Sequence, residues 1–424
     1  MLNKETEWKQ DVIPPKNNVP VSSAKLREMG IKKDQIVIVN NIEDLRKSPP
    51  GIIIAEAVKT VGFMQNWFKK QYLYKKHKYV MGLGVYQQLH TKAGDKKKKI
   101  LKPAKIKFIN SYRPYTGQPL DGKTILVFRT GGIGDLLFIK PNLDYLKSRY
   151  DCKIKFACGP QYQAMVETWE CVDELLDLPF DAQHLFESDY HILFEGVIER
   201  CREAEVTNAY NLFSKWLGLN LPDSLLVPKQ EPKLEMIEKC MKILNDWNLE
   251  DESFILMQLR ASSPVRTPRP EFWINIINQL TEKGHNIILT DNPRQSENVD
   301  NFIKDVKRPD KVFNFCQHSK SLDYSIAITK FAKMTLATDS AFNHIAASLG
   351  VKCFAVMGPF PGTIRLKTYP KAAWVDAPME CAPCFIHSHK PCPQAGEDGF
   401  SPCYDNINIP NMIEKIEKLL NATM

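Results

Sequence analysis

The sequence predicts an α/β protein whose sheets are built from parallel βαβ units. Three observations predict it. Residues 123–128, Lys-Thr-Ile-Leu-Val-Phe, form a short apolar run that leads through a glycine-rich turn, Arg129-Thr-Gly-Gly-Ile-Gly-Asp135, into a helical pattern ending at Tyr150; a second strand follows at 153–157. Residues 334–357 repeat the arrangement: an apolar run, the polar switch Thr338-Asp339-Ser340, apolar positions Phe342, Ile345, Ala346 and Leu349 at helical spacing, a stop at Gly350, and another apolar run from Cys353 to Met357. Between these two units, short apolar runs alternate with amphipathic stretches, the pattern of a parallel sheet covered on both faces.

The chain of 424 residues is long enough for two or three domains. With 43% hydrophobic and 25% charged residues it has the composition of an ordinary globular protein. No apolar run is long enough to span a bilayer, and the first residues, MLNKETEWKQDVIPPKNN, have no apolar h-region. These features predict a cytoplasmic protein. Its eleven cysteines then point to reduced thiols or a metal site, not to a disulfide framework.

The net charge of +8 is concentrated in one segment. Residues 66–107 hold thirteen lysines and one aspartate, which leaves the remainder of the chain slightly acidic. Trp67, Tyr72, Tyr74, Tyr79 and Tyr86 are interleaved with these lysines. Such a mixture suits an anionic polymer, because lysines neutralise phosphates and rings stack on bases. It suits a phosphorylated glycolipid or an anionic membrane face equally well, and a solvated lysine-rich loop is the plain alternative.

Taken in order, residues 1–30 are polar and without period. Strands are predicted at 35–39 and 51–54, with a helix over 55–70. Residues 103–121, rich in proline and glycine, read as a linker, so 1–121 form a small basic α/β extension. The main fold opens at Gly122. Its glycine turn lacks the Gly-Lys-Ser/Thr of a Walker loop, and its spacing is not G-x-G-x-x-G. Cys158 stands where a dinucleotide-binding strand would end in an acid, which argues against NAD. A strand at 190–194 and a helix at 208–217 complete a first domain over 122–228. The second domain, 229–405, starts with a helix at 234–247 and a strand at 254–259. A polar loop with Arg260, Arg266 and Arg269 follows, then a helix at 271–283, a strand at 286–290 and a helix at 323–332. Residues 406–424 end in an amphipathic helix expected to pack back on the first domain. Cys381-x-x-Cys384, Cys392 and Cys403 have the composition of a tetrahedral structural zinc site, with His387 and His389 as spare ligands and buried free thiols as the alternative.

Asp135 at a strand's carboxyl end can act as a base on a hydroxyl or cap its own helix. Ser340 at a helix start offers amides and a positive dipole end to a phosphate. Arg266, with Ser262 and Ser263 beside it, offers a planar fork for phosphate oxygens.

Two stretches together resemble glycosyltransferase family 9, the heptosyltransferase-like enzymes. One is Arg129-Thr130 with Gly134-Asp135. The other is Asp339-Ser340-x-x-x-His344-Ile345-Ala346-Ala347 with Gly350 and Gly358-Pro359. The likeness covers about residues 122–420. Ala341 stands where the family usually has glycine, Arg260 replaces its small loop start, and Arg266 replaces its lysine. The resemblance implies a GT-B architecture, two Rossmann-like domains facing a cleft, and inverting, metal-independent transfer from a nucleotide sugar. It implies Asp135 as the catalytic base. Ser262, Ser263, Arg266, Asp339, Ser340, Ala341, Phe342 and His344 would bind the donor, and Thr130, Gly131, Glu195 and Arg200 the acceptor. No catalytic cofactor is implied. The expected acceptor is a lipopolysaccharide-type glycan met at the inner membrane face. A hydroxylated base in DNA, as in phage-type DNA glycosyltransferases, is the alternative that the lysine segment raises. A non-catalytic nucleotide-sugar-binding protein is the third.

Overall fold

The computed structural model describes residues 114–178, 184, 187–198, 201–249, 253–386 and 391–422, together with four short strands nearer the N-terminus. Of those four, β1 (Val21–Ser22) pairs antiparallel with β4 (Ile100–Leu101), and β2 (Ile36–Ile38) pairs parallel with β3 (Ile52–Ile54). The strands expected at 35–39 and 51–54 are therefore present. The helix expected over 55–70, the rest of the lysine segment, Arg200, His387 and His389 lie outside the described residues.

The first large sheet contains β5 (Thr124–Phe128), β6 (Lys153–Cys158), β7 (Glu174–Asp177) and β8 (Tyr190–Leu193), all parallel, in the order β7-β6-β5-β8. Helix α1 (Ile133–Arg149) links β5 to β6, and the short α2 (Gln163–Val166) lies between β6 and β7. Ile125, Leu126, Val127 and Phe128 are buried without alternation, as a strand covered on both faces requires. Helices α3 (Ala209–Trp216) and α4 (Leu234–Asp246) lead into the second sheet. Asn208 caps α3 by accepting from the Tyr210 amide at 2.9 Å.

The second sheet is six-stranded and wholly parallel. Its elements are β9 (Phe254–Gln258), α5 (Pro270–Glu282), β10 (Asn286–Leu289), α6 (Ser296–Lys304), β11 (Val312–Asn314), α7 (Leu322–Phe331), β12 (Met334–Thr338), α8 (Ala341–Ser348), β13 (Lys352–Met357), α9 (Gly362–Arg365), β14 (Ala372–Asp376) and α10 (Ile409–Asn421). Strand order is β11-β10-β9-β12-β13-β14. Counted from its own first strand this is 3-2-1-4-5-6, the doubly wound order, whose topological switch point lies between β9 and β12.

The last helix departs from the sequence expectation. Met412, Ile413, Ile416, Leu419 and Leu420 of α10 join the core formed by Ile255 and Met257 of β9, Phe354 and Val356 of β13, and Trp273 and Ile276 of α5. Helix α10 thus completes the core of the second sheet. Its apolar stripe has the same spacing either way; what fixed the partner is the sheet surface beside α5 that it covers.

Backbone proximity divides the chain into two compact units. One holds residues 1–130, 146–160 and 171–195; the other holds 131–145, 161–170 and 196–424. The first part of α1, with Asp135, therefore belongs to the same unit as the second sheet.

Candidate active site

Two loops leave the second sheet at its switch point, one after β9 and one after β12. Arg266 ties them together. Its Nη1 donates to the Asp339 carbonyl at 2.8 Å and lies 3.4 Å from Asp339 Oδ2, while Nη2 donates to Ser262 Oγ at 3.1 Å. Ser340 is the N-cap of α8: its Oγ accepts from the Phe342 amide at 3.3 Å and donates to Gln258 Oε1 at 2.9 Å. Asn343 Nδ2 donates to the Thr338 carbonyl at 2.7 Å, which holds the helix start against its own strand. Ser262 is exposed and Ala341 and Arg266 are half-buried, whereas Ser263, Phe342 and Asp339 are buried. The arrangement presents a helix N-terminus, a serine hydroxyl and a guanidinium at one sheet end, the combination that holds phosphate oxygens.

Asp135 lies in the first turn of α1 and is half-buried. Gly132 has φ +87°, and a Cβ on it would stand 2.5 Å from Asp135 Oδ2. The carboxylate therefore folds over the turn, and any other residue at Gly132 would both strain the backbone and displace it. Gly134 meets the other element of the site: a Cβ there would lie 3.1 Å from His344 Cδ2. The Asp135 turn and helix α8 are thus in direct contact.

His344, expected among the donor-binding residues, lies in the interior, 5% exposed. The Tyr210 and Tyr369 hydroxyls converge on its Nδ1 at 3.1 and 2.8 Å, and Phe138 stands edge-on with ring centroids 4.8 Å apart. Burial pushes its pKa down to about 3; Asp339 opposes this, and Arg365 and Arg266 reinforce it. A neutral imidazole at this place braces the contact between α1 and α8.

In the other unit, Thr130 and Arg129 are gripped by Glu195. The Thr130 amide donates to Glu195 Oε1 in a short bond, and Arg129 Nη1 lies 3.7 Å from Glu195 Oε2 and donates to the Phe194 carbonyl at 2.7 Å. Arg129 and Glu195 are 4% and 7% exposed, so Glu195 serves inside the fold rather than on an open loop. Gly131 is half-buried at the head of the turn.

None of the described cysteines is in a disulfide. The Cys403 thiol is pushed up, first by burial and then by Cys392, Cys381 and Cys384, so the four thiols share a neighbourhood. Among the described residues, no three His, Cys, Asp or Glu side chains are grouped closely enough to hold a metal ion.

Tyr210, Tyr369 and Arg365 belong to this constellation and were not singled out from sequence. Tyr210 and Tyr369 lie 134 and 25 residues from His344, and nothing local marks either. Arg365, at the end of α9, lay in a stretch whose only visible signal was the Gly358-Pro359 stop.

Comparison with known proteins follows the geometry. Residues 194–392 match the description "Glycosyltransferase family 9 (heptosyltransferase)". No curated protein sequence matches the chain. Among solved structures, the fold is similar to a family 9 glycosyl transferase of Veillonella parvula, with 15% identity, TM-score 0.55, and coverage of 72% of this chain and 98% of that one. It is similar to E. coli ADP-heptose lps heptosyltransferase II, with 15% identity, TM-score 0.54, and coverage of 70% and 98%. It is also similar to the iron-containing dodecameric glycosyltransferase TibC of enterotoxigenic E. coli, with 11% identity, TM-score 0.50, and coverage of 77% and 80%. The two parallel α/β sheets are those of the GT-B fold. Residues 194–392 thus resemble glycosyltransferase family 9, and the fold around them is that of the heptosyltransferase structures.

Proposed function

We propose that the protein transfers a sugar, with inversion, from a nucleotide-diphosphate sugar to an acceptor hydroxyl. The observation that carries this reading is the contact of Gly134 with His344, which brings the Asp135 turn against the helix whose start faces Arg266 and Ser262. Asp135 takes the acceptor's hydroxyl proton. The acceptor oxygen bonds to the anomeric carbon as that carbon's bond to the diphosphate breaks, and the electron pair leaves with the diphosphate. A single displacement of this kind inverts the anomeric centre. The α8 amides, Ser262 and guanidinium groups meet the charge that grows on the leaving group.

Because that charge is met by guanidinium and amide groups, we place no divalent cation at the reacting phosphates. Asp135→Asn keeps the shape and removes the base. It should retain thermal stabilisation by the donor and lose roughly 100-fold or more of its turnover, while wild-type turnover survives a chelator. An Asp135→Asn enzyme of normal rate would overturn the assignment.

The E. coli relative is named for ADP-heptose and lipopolysaccharide. A nucleotide-sugar donor and a glycan acceptor of that class, met in the cytoplasm at the membrane's inner face, are the corresponding proposal here. As a separate structural feature, we propose a zinc ion on Cys381, Cys384, Cys392 and Cys403. The shared neighbourhood of the thiols and the Gln394 amide donating to Cys392 Sγ at 3.4 Å support it, and the thiols would have to converge further to close around an ion.

A further inference from the structure

We propose that Arg365 is a second phosphate-holding cation of this site, binding the diphosphate of the donor. The inference rests on the nucleotide-sugar reading above and adds to it a residue outside the family's signature stretches.

The argument starts from charge. The arginines of the loop after β9 already face carboxylates. Arg260 Nε lies 3.0 Å from Asp291 Oδ2, and Arg266 Nη1 lies 3.4 Å from Asp339 Oδ2. Arg269 pairs with Asp405 at 3.1 Å and with Asp398. A leaving diphosphate carries between two and three negative charges. The α8 terminus offers about half a positive charge, and Arg266 with Asp339 is close to neutral as a pair. The site as drawn from the sequence therefore lacks positive charge for the group it should release.

Arg365 supplies it. Strand β13 runs beside β12 in register, with Thr338 opposite Val356, so the segment after Met357 leaves the sheet beside Asp339 and Ser340. Arg365 ends α9 in that segment, half-buried, with its guanidinium 4.2 Å over the Phe360 ring. Phe360 is itself backed by Phe385 at 5.8 Å, and the Phe385 amide donates to the Pro359 carbonyl at 2.8 Å. Stacking uses the face of a guanidinium and leaves its N–H edges for a bidentate acceptor. Four residues on, Tyr369 bonds to His344, which ties the whole segment to α8. The Arg365 charge reaches His344 more strongly than that of Arg266. Among the described residues, Arg365 lies within ion-pair distance of no carboxylate. A stacked, unneutralised guanidinium at the end of α9, in the segment that follows β13, is what a diphosphate leaving from α8 requires.

The test is calorimetric titration of the full chain with inorganic pyrophosphate and with ADP, UDP and GDP. Arg365→Gln should weaken pyrophosphate and the preferred nucleotide by roughly 10-fold to 100-fold, the loss of one charge-assisted phosphate contact. Arg365→Lys should recover part of the loss, since it restores charge without the fork. Arg308→Gln removes the same charge from an arginine paired with Asp310 and should change nothing. Unchanged melting of each variant shows that folding is intact. If wild type binds and Arg365→Gln binds equally well, the role of Arg365 is wrong while the nucleotide-sugar reading stands. If wild type binds none of the four probes, both fall.

Discussion

Gly134 has room for a hydrogen and little more. The ring edge it faces cannot retreat freely, because two phenol hydroxyls and Phe138 hold His344 in place. Aromatic pairs of this kind contribute about 0.5–1.5 kcal/mol each beyond their burial, so the cage resists displacement. It also makes a pH prediction. The unfolded histidine titrates near 6.5, whereas the folded one is held down to about 3, chiefly by burial. Between those values the unfolded chain binds a proton that the folded chain refuses. Stability from this group is thus complete above about pH 6.5 and falls as pH drops towards 3. In urea denaturation at pH 7 and pH 4, His344→Phe should narrow the gap between the two curves, although its two tyrosine hydroxyls lose a partner. An undiminished gap would mean that other groups carry the acid sensitivity.

At the scale of elements, legibility followed burial. The interior strands β5, β9, β12 and β13 are apolar runs covered on both faces, and each was readable from sequence. Strands β7 (Glu174–Asp177), β11 (Val312–Asn314) and β14 (Ala372–Asp376) were not, and all three are sheet edges. Their residues are mostly half-exposed and carry no apolar run to detect, whereas the buried edge strand β8 was readable. Helix α10 shows the complementary limit: its stripe announced a buried face but not the sheet that buries it. The cysteine segment just before it, 381–403, gives a prediction at this scale. Elemental analysis of purified protein should find about one zinc per chain, and Cys384→Ser should abolish it. Metal-free protein that melts normally would leave the four as free thiols, Cys392 and Cys403 buried and Cys381 exposed.

For the molecule as a whole, charge is unevenly divided. The body beyond residues 66–107 is slightly acidic, and the lysines of that segment give the chain its positive balance. No helix among the described residues is long and apolar enough to cross a membrane. Contact with an anionic acceptor or surface is therefore predicted to run through the lysine segment. The full chain should be retained on vesicles containing anionic lipid at about 50 mM salt and released near 200 mM, as counterion release requires. A variant lacking 66–107 should be retained on neither vesicles nor DNA. Stronger retention on DNA than on vesicles would favour the hydroxylated-base acceptor over the glycan.

Sequence by itself determined the α/β class, the two polar switches at strand ends, and the resemblance to glycosyltransferase family 9 that Asp339, Ser340, His344 and the Gly358-Pro359 stop carry. Those features are local: periodicity, caps and turn glycines are set within a few residues, and a single chain records them directly. Tertiary structure alone decided that His344 faces inward, that Glu195 grips the Thr130 amide, that α10 belongs to the second sheet, and that Arg365 stands free of carboxylates among the described residues. Each of those depends on which distant residues the sheets bring together, and pairings across 65 or 134 positions leave no mark in local order.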